Sequence, residues 1–438
     1  MSLAYNTRMH GDRIKQKHFA FCWIMNNLAR RATTLAPGRR QLHSLLFSGQ
    51  GTQYPGMAQD LYAAFPAARR VLDAIDDELG FALTSLMFGD NLHDRQLHDR
   101  QEDGGALLRR TSNAQPAIFA HSMAVLACLM EEGVLVGLPQ VGSDDDCDGN
   151  GQNRDSSSRN GTDNGNIGLL MGHSLGEFSA AAAAGCFSLR HTARIVRARG
   201  ESMQRVADSL GDEQTAMVAL LGRWDSLQKA QELCARAVAE SESDKSARDH
   251  ENGSLMVCEV ANWNSGTQIV ISGCKSEVDR AVALAKTEYG VRRAMPLDVS
   301  APFHCSLMAP AESVVRQCMR EEAEMGTPAN LQARMVMNAD GHIEVDSGRV
   351  KELLCTQTVG LVNWVACMET AVEFSLQYGE RSPTFIELGP GKVLKGLLAR
   401  EVREDPVTGT KPHVLSVGTA AEVDAILMQA HNEGWLKR

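Results

Sequence analysis

Ser174 lies at the centre of a Gly-x-Ser-x-Gly segment, residues 172–177, in which the serine hydroxyl could act as a nucleophile. An apolar run, residues 167–171, precedes this segment, and an alanine-rich run, residues 178–184, follows it. A strand, a sharp turn and a helix in this order expose a serine hydroxyl at the end of a sheet, beside a helix N-terminus that favours developing negative charge. The alternative is a plain serine N-cap, which needs no flanking glycines. We therefore predict that Ser174 is a nucleophile.

A serine nucleophile needs a base, and two histidines are candidates. His173 adjoins Ser174 but should point away across the turn, which favours a structural role. His304 lies in the segment 299–308, where a predicted strand ends and a helix begins, and is the better candidate for the base. The alternative for His304 is an ordinary histidine at a helix start. The residues alone leave this choice open.

Composition bounds the fold and excludes several classes of protein. The chain has 438 residues, of which 43% are hydrophobic, so it can bury a large core in two or three domain-sized units. Its net charge is −10 without an extended basic region in the body, so we expect no nucleic-acid partner. It has no run of about 18 apolar residues, so we expect no membrane span. The 11 cysteines form no CxxC pair, which favours reduced thiols over disulfides or a metal site.

The first forty residues differ from the rest in charge. They contain eight lysines and arginines and a single acidic residue, Asp12, with apolar residues interleaved at 19–25. An amphipathic, arginine-rich and acid-poor N-terminus is typical of an organelle transit peptide. We therefore predict a transit peptide over residues 1–40 and a mitochondrial location, with a plastid or the cytoplasm as alternatives. A disordered basic tail without a targeting role is the other interpretation.

Hydrophobic patterns predict the elements that position these side chains. Residues 42–47 indicate a buried first strand, and two helical patterns follow it. Residues 142–166 consist almost wholly of Gly, Ser, Asp, Asn and other polar residues, which predicts a disordered surface insertion. Near the C-terminus, a second buried strand precedes a glycine-containing turn and a helix. The ranges are helices 60–79, 114–132 and 392–401 and strand 384–388.

A smaller unit is predicted between the two halves of the larger one. Its elements follow the order βαββαβ, which is the ferredoxin-like pattern. We expect an α/β fold in which a large α/β-hydrolase-like parallel-sheet domain, residues 41–211 and 299–438, contains an inserted ferredoxin-like domain, residues 212–298. A charged stretch, residues 240–254, should be a surface loop. The predicted elements are strands 216–221, 255–261, 268–272 and 292–299 and helices 224–240 and 275–289.

Several segments also match one family's motifs, in the family's order, from about residue 42 to the end of the chain. They are residues 47–53, 113–117, 172–177, 197–200 with Met203 and Gln204, 261–265, 303–304 with Leu307 and Met308, and 387–392. Through them the chain resembles malonyl-CoA:acyl carrier protein transacylases and, more broadly, the acyltransferase domains of fatty acid and polyketide synthases. The N-terminus and the 142–166 insertion lie outside the resemblance. Ser48 replaces the proline of the first motif, which should matter little because the following glutamine carries the role.

The resemblance implies roles for the residues at the reaction centre. Ser174 would attack a thioester carbonyl while His304 accepts its proton. The backbone N–H groups of Gln50 and Leu175 would bind the oxyanion, and such preorganised donors contribute a few kcal/mol. The histidine would be oriented by a backbone carbonyl, and Gln357 falls at the matching position, so no catalytic aspartate is expected.

The resemblance also implies a substrate class. Arg199 would bind the free carboxylate of a malonyl group, because a planar guanidinium offers a bidentate partner and an unpaired buried carboxylate is costly. Phe303 would crowd an α-methyl group and so favour malonyl over methylmalonyl. The remaining pocket and pantetheine residues would be Gln115, Met203, Asn262 and Asn264.

The predicted reaction is a ping-pong transfer from malonyl-CoA to the phosphopantetheine thiol of an acyl carrier protein, through a malonyl-serine, that feeds fatty acid synthesis. We expect no cofactor and no metal, malonyl-CoA and acyl carrier protein as partners, and a monomer. One alternative is an acyltransferase of polyketide or other specialised metabolism. Another is a serine thioesterase or hydrolase, against which a carboxylate-binding arginine argues.

Overall fold

The computed structural model describes residues 42–89, 104–141, 165–211, 214–246, 256–299, 301–323, 330–378, 383–402, 411–433 and 435. The predicted transit peptide and most of the predicted insertion therefore lie outside the described residues. The strands are β1 His43–Phe47, β2 Ile167–Gly172, β3 Thr215–Leu221, β4 Cys258–Ser265, β5 Gln268–Cys274, β6 Arg293–Pro296, β7 Asn330–Val336, β8 Ile343–Asp346, β9 Thr384–Leu388 and β10 His413–Val417.

Helices surround these strands. A short 3₁₀ turn, Ser306–Met308, precedes the helix that begins at Ala309. The helices are α1 Gln59–Ala64, α2 Pro66–Leu79, α3 Leu83–Phe88, α4 Gly104–Arg109, α5 Thr111–Glu131, α6 Leu175–Ala183, α7 Leu189–Leu210, α8 Leu227–Ser246, α9 Lys275–Glu288, α10 Ala309–Ala323, α11 Ser347–Gln357, α12 Trp364–Gln377, α13 Val393–Glu401 and α14 Ala420–Glu433.

The larger sheet has six strands in the order β10-β9-β1-β2-β7-β8. Neighbouring strands are parallel except β7 and β8, which are antiparallel, so the sheet is mixed, where we had expected a parallel one. All five residues of β1 and of β9 are buried, as expected for central strands covered by helices on both faces. The predicted α/β class is confirmed.

The register of the central strands brings their carboxyl ends to one edge of the sheet. Phe47, the last residue of β1, pairs with Gly172 at the end of β2 and with Leu388 at the end of β9. The loops that follow these three strands therefore leave the sheet side by side. In open α/β sheets this edge is where ligands bind.

Helix α5 forms the centre of the larger core. It is 21 residues long and apolar enough to cross a membrane, but 89% of its most apolar window is buried inside the protein. This burial is typical of a core helix, which is apolar around its whole circumference because other elements surround it. Helices α2 and α7 pack on it.

The smaller sheet has four antiparallel strands in the order β4-β5-β3-β6. Side chains alternate between its two faces. Val218 and Leu220 lie in one apolar cluster with residues of α8 and α9. Met217 and Ala219 lie in another, with residues of α7 and of the segment 301–311. One face thus carries the helices of the smaller unit, and the other packs on the larger unit.

Backbone hydrogen bonds also join the smaller sheet to the larger unit. Val362 donates to the carbonyl of Ala261 at 2.9 Å and accepts from the N–H of Trp263 at 2.9 Å. This two-bond bridge lies at the middle of β4. It ties the smaller unit to the chain just after α11.

The structure corrects several predicted boundaries. The single helix predicted over 60–79 is two helices, because Pro66 forces the preceding Phe65 into an extended conformation. The surface loop predicted over 240–254 begins as helix, since α8 continues to Ser246. Asn166, placed in the disordered insertion, is buried, and its side chain bonds the backbone of residues 134 and 136.

Candidate active site

The turn at Ser174 is tight, and its flanking glycines are required by close backbone contacts. A Cβ added to Gly172 would lie 1.9 Å from the carbonyl carbon of Gly176. A Cβ added to Gly176 would lie 2.1 Å from the carbonyl oxygen of Phe47. Helix α6 therefore begins directly against the ends of β1 and β2. This geometry presents Ser174 at the carboxyl edge of the sheet, as the sequence pattern predicts.

Ser174 and His304 form a hydrogen-bonded pair. Ser174 Oγ lies 2.6 Å from His304 Nε2. His304 Nδ1 lies 2.9 Å from the carbonyl oxygen of Gln357 and 3.1 Å from that of Gly360. A carbonyl oxygen can only accept, so Nδ1 carries the proton and Nε2 is free to accept the serine hydroxyl proton. The pair therefore has the arrangement of a nucleophile and its base.

His304 is buried, which keeps its imidazole neutral. Burial, followed by the neighbouring Arg199 charge, lowers the pKa of His304 to about 3. The imidazole is therefore unprotonated at every pH near neutrality. A base must be unprotonated to accept a proton, and His304 meets that condition at neutral pH.

Both members of the pair have strained backbones. Ser174 has φ 54° and ψ −106°, and His304 has φ 59°. Among the described residues only one other non-glycine residue, Ala58, has a positive φ. Such conformations cost about 1–3 kcal/mol each and persist where the surroundings impose them, commonly at active sites.

Gln357 contacts Ser174, His304 and Arg199. Besides the carbonyl that faces His304, its side-chain Nε2 donates to the carbonyl oxygen of Ser174 at 2.7 Å. Its Oε1 accepts from Arg199 Nη2 at 3.2 Å. One residue at the end of α11 thus touches the nucleophile, the base and the arginine. The family resemblance had implied only the backbone contact.

Arg199 is buried without a carboxylate partner. Its side chain is 2% exposed, Nη1 donates to Gln115 Oε1 at 2.7 Å, and the guanidinium lies over the ring of Phe178 at 5.2 Å. Its Nε has no hydrogen-bond partner, and it forms no ion pair with a described acidic residue. Burial lowers the pKa of Arg199 to about 9, opposed by the charge of Glu177. A guanidinium in this state is poised to accept an anionic ligand.

Gln50 and Leu175, the two predicted oxyanion donors, lie close to the Ser174 turn. Leu175 is the first residue of α6, so its N–H has no partner within the helix. Gln50 follows Gly49, at which a Cβ would lie 2.5 Å from the carbonyl oxygen of His173. The Gln50 side chain accepts from Thr111 Oγ1 at 3.0 Å. The two amides are therefore held at the same edge as Ser174.

The other predicted pocket residues divide into two groups. Gln115 contacts Met203 through Nε2 and Sδ at 3.3 Å, and Met203 shares an apolar cluster with Phe303. These residues lie with Arg199. The other two are buried in β4: Asn264 bonds the His173 ring at 2.8 Å, and Asn262 lies in the backbone bridge to Val362. Neither asparagine makes a described hydrogen bond to the Ser174–His304 pair.

Two contacting residues were missed by sequence reasoning. Asn338 Oδ1 accepts from the N–H of Ser174 at 2.8 Å. Glu177, fully buried three residues after the nucleophile, accepts from the N–H of Asn338 at 2.5 Å. Burial raises the pKa of Glu177 to about 8, while Asn338, Gln357 and Arg199 lower it and Asp340 raises it. The available signal for Asn338 was an apolar run, residues 335–337, ending in an amide side chain.

The arrangement can perform acyl transfer through a serine. It combines the nucleophile Ser174, the neutral base His304 oriented through Nδ1, two N–H groups near the turn, and the buried guanidinium of Arg199. Among the described residues, no three or more His, Cys, Asp or Glu side chains are grouped so that they could hold a metal ion.

Comparisons with known proteins agree on one family. No model of a known protein family matches the chain. A malonyl CoA-acyl carrier protein transacylase of Bacillus subtilis is 32% identical over 82% of this chain and 89% of its own length. The crystal structure of an acyl-carrier-protein S-malonyltransferase from Bartonella henselae is 31% identical with a TM-score of 0.66, covering 89% of this chain and all of that one.

A third similar structure is a malonyl-transacylase in complex with the holo form of its type II polyketide acyl carrier protein. It is 26% identical to this chain with a TM-score of 0.65, and the match covers 89% of this chain and 100% of that one. Identity above 30% over most of both chains establishes common membership. The chain belongs to the malonyl-CoA:acyl carrier protein transacylase family, whose members are acyl-carrier-protein S-malonyltransferases.

Proposed function

We propose that the protein moves a malonyl group from malonyl-CoA to the phosphopantetheine thiol of an acyl carrier protein by way of a malonyl ester on Ser174, supplying fatty acid synthesis. The general reaction follows from family membership. The support for the serine intermediate is the 2.6 Å contact between Ser174 Oγ and His304 Nε2. The support for a carrier protein as partner is the relative that was solved with one bound.

The first half-reaction makes the ester. As Ser174 Oγ attacks the thioester carbonyl, its proton passes to His304 Nε2, and the carbonyl oxygen takes up negative charge. The N–H groups of Gln50 and Leu175 are proposed to bind that oxyanion. When the tetrahedral intermediate collapses, the carbon–sulfur bond breaks and the CoA sulfur takes the proton from His304. The products are free CoA thiol and malonyl-Ser174.

The second half-reaction reverses these roles. The thiol of the carrier's phosphopantetheine gives its proton to His304 Nε2 and attacks the ester carbonyl. The serine oxygen leaves and takes the proton back. Because each half-reaction ends with a neutral His304, the site is ready for the next cycle. Its Nδ1 proton stays between the carbonyls of Gln357 and Gly360 throughout.

The observation that carries the malonyl assignment is the unpaired buried guanidinium of Arg199. A buried guanidinium to which no described carboxylate is bonded is unfavourable, and a carboxylate ligand supplies both the charge and two acceptors. Malonyl groups carry such a carboxylate, whereas acetyl and longer neutral acyl groups do not. Phe303, buried beside Met203 in one apolar cluster, would limit the room for an α-methyl group.

Replacing Arg199 tests this assignment. In Arg199→Ala we expect the rate of malonyl transfer to fall at least about 100-fold, because a buried charge pair is lost. Transfer of acetyl groups from acetyl-CoA should be retained or rise, because the cavity no longer contains a charge. The measurement is kcat/KM for both donors with holo carrier protein as acceptor.

A matched control uses the same helix. Arg194 lies in α7 with its side chain half exposed and paired to Glu78, so Arg194→Ala removes a cation without touching the pocket. It should leave both rates within about twofold, since such surface pairs contribute little. Malonyl transfer in Arg199→Ala within about threefold of wild type would refute the role proposed for Arg199.

Two other functions fit parts of the site. A transacylase of polyketide or other specialised metabolism would use the same residues, and one structural relative serves a type II polyketide carrier. A thioesterase would use the Ser174–His304 pair with water as acceptor. Comparing transfer to a fatty-acid-type carrier with transfer to a polyketide-type carrier distinguishes the proposed function from a transacylase of specialised metabolism. The ratio of acyl transfer to hydrolysis distinguishes it from a thioesterase.

Domain boundaries and location are further proposals. We propose a ferredoxin-like domain over residues 212–298 within a larger unit of 41–211 and 299–438, supported by the β3-α8-β4-β5-α9-β6 order. We also propose that residues 1–40 direct the protein to mitochondria, supported by their basic and acid-poor composition. The protein is proposed to act as a monomer without a cofactor or a metal.

A further inference from the structure

We infer that Glu177 is a positioning residue whose carboxylate, through the amide groups of Asn338 and Gln357, holds the strained backbone of Ser174 in its attacking position. This inference rests on the proposed function only for the identity of the acyl group. The geometry that supports it concerns the nucleophile alone. The described hydrogen bonds include none from the Glu177 side chain to Ser174 Oγ or to His304.

The Glu177 carboxylate accepts a hydrogen bond on each oxygen. Oε1 accepts from the backbone N–H of Asn338 at 2.5 Å, and Oε2 accepts from Gln357 Nε2 at 3.0 Å. The side chain is 0% exposed, so water does not compete for these bonds. A single carboxylate thus connects the segment after β7 to the end of α11.

Each of the two partners then contacts a backbone group of Ser174. Asn338 Oδ1 accepts from the Ser174 N–H at 2.8 Å, and Gln357 Nε2 donates to the Ser174 carbonyl at 2.7 Å. The Asn338 amide is further fixed because its Nδ2 donates to the Gly172 carbonyl at 2.7 Å. Both peptide groups that flank the Ser174 Cα are therefore bonded from outside the turn.

These bonds account for a conformation that serine would not adopt alone. With φ 54° and ψ −106°, Ser174 lies outside the favourable regions, so the surroundings must impose it. The within-turn bonds, from Gly176 to His173 and from Glu177 to Ser174, do not bind the Ser174 N–H. The external bonds that reach both peptide groups come from Asn338 and Gln357, and Glu177 holds both.

The chemistry of this position requires a carboxylate. Both partners present N–H donors, and an ionised carboxyl group is a pure acceptor. Glutamine in its place would direct an NH₂ group at one of the two donors, whichever way it is turned. The Gln357 amide would then lose its orientation, and its Oε1 could face the Ser174 carbonyl in place of Arg199.

The test compares Glu177→Gln with a matched variant, Glu387→Gln. Glu387 is also 0% exposed, and its oxygens accept only from donors, the N–H groups of residues 394 and 395 and Ser416 Oγ. Both variants replace a buried acceptor-only carboxylate by an amide. Only the first lies against the Ser174 turn, so both should lose stability but only the first should lose nucleophile reactivity.

Two rates are measured on folded protein, at a pH above the value of about 8 to which burial raises the pKa of Glu177, so that its carboxyl group is ionised. One is the single-turnover acylation of Ser174 by malonyl-CoA, and the other is its labelling by a fluorophosphonate, which reports the nucleophile whatever its natural acyl donor. In Glu177→Gln both maximal rates should fall about 10- to 100-fold, as misplacement of a reacting group predicts. The malonyl-CoA concentration at half saturation should stay within about threefold, because Arg199 keeps its bond to Gln115. Glu387→Gln should keep both rates.

Equal rates in wild type and Glu177→Gln would overturn the inference, as would an equal fall in both variants. If Glu177→Gln fails to fold, Asn338→Ala replaces it in the test, since this variant removes the bond to the Ser174 N–H and leaves the carboxylate in place. Wild-type rates in Asn338→Ala would also overturn the inference. If wild type reacts with the fluorophosphonate but not with malonyl-CoA, the proposed function fails, and the fluorophosphonate rates still test Glu177.

Discussion

The nucleophile and the base lie on two turns with similar backbone strain, but the contacts that position them come from different parts of the chain. Both Ser174 and His304 have a positive φ, at 54° and 59°. The path of the chain at Ser174 is set locally, since Gly172 and Gly176 let β2 and α6 meet within a few residues. The distant Asn338 and Gln357 then bond the Ser174 peptide groups. The His304 ring is held from far away, by carbonyls 53 and 56 residues later in the chain.

This difference explains why one of the two residues could be predicted from its sequence neighbours and the other could not. A turn made from local contacts needs particular residues at fixed spacing, so its sequence is a motif. A ring held by distant carbonyls needs almost nothing from the residues around it in sequence, because any backbone supplies a carbonyl. Ser174 could therefore be predicted from its neighbours, whereas His304 stayed one of two open choices until the family resemblance was considered.

The largest expected effect comes from breaking the local turn. Gly176→Ala places a Cβ 2.1 Å from the backbone oxygen of Phe47, which cannot move without displacing β1. We expect the free energy of unfolding to fall by about 3 kcal/mol or more, at the upper end for overpacking. Chemical denaturation followed by circular dichroism measures it.

The control is a glycine with free space around it. Gly396 lies within α13, and a Cβ there would meet nothing within 4 Å. Gly396→Ala should raise stability by about 1 kcal/mol, because alanine favours a helix over glycine. If Gly176→Ala proved as stable as wild type, the turn would be looser than these contacts indicate, and the distinction between the two turns would weaken.

A smaller effect distinguishes the two turns by pH. Burial lowers the pKa of His304 to about 3, so the base stays neutral as the pH falls from 7 to 5. Burial raises the pKa of Glu177 to about 8, so its carboxylate gains a proton as the pH falls through that value. Acylation of wild type should therefore slow below about pH 8 through Glu177, as protonation removes an acceptor from the Ser174 support.

The variant that lacks this carboxylate isolates the base. In Glu177→Gln, the acylation rate should change less than about twofold between pH 7 and 5, measured by single-turnover kinetics. A base with the ordinary histidine pKa of about 6.5 would lose more than tenfold over that range. A fall of that size in Glu177→Gln would mean that His304 is more solvated than its burial indicates.

The same division between local and distant contacts decides what else could be predicted. The strand Thr384–Leu388 was predicted residue for residue, because five buried residues followed by a glycine turn are a local signal. The helix break at Phe65 was missed, although the following Pro66 is a local signal for it. Strand β8, with three of its four residues exposed and antiparallel pairing to β7, has no hydrophobic run that could mark it.

Residues of the site follow the same rule. Ser174, Arg199 and Gln357 were named from motifs and resemblance, and the structure brings them together. The role of the Gln357 side chain could not be predicted, because it depends on Ser174 and Arg199, which are 183 and 158 residues away. Asn338 was missed for the same reason, since its partner Ser174 is 164 residues distant.

The central claim is that Ser174 carries the malonyl group between two thiols. Intact-protein mass spectrometry after mixing with malonyl-CoA tests it most directly, with Ser174→Ala as the control. We predict one malonyl adduct on wild type, mapped to Ser174, that disappears when holo acyl carrier protein is added while the carrier gains the group. Failure of wild type to form the adduct, or its persistence in Ser174→Ala, would contradict the account.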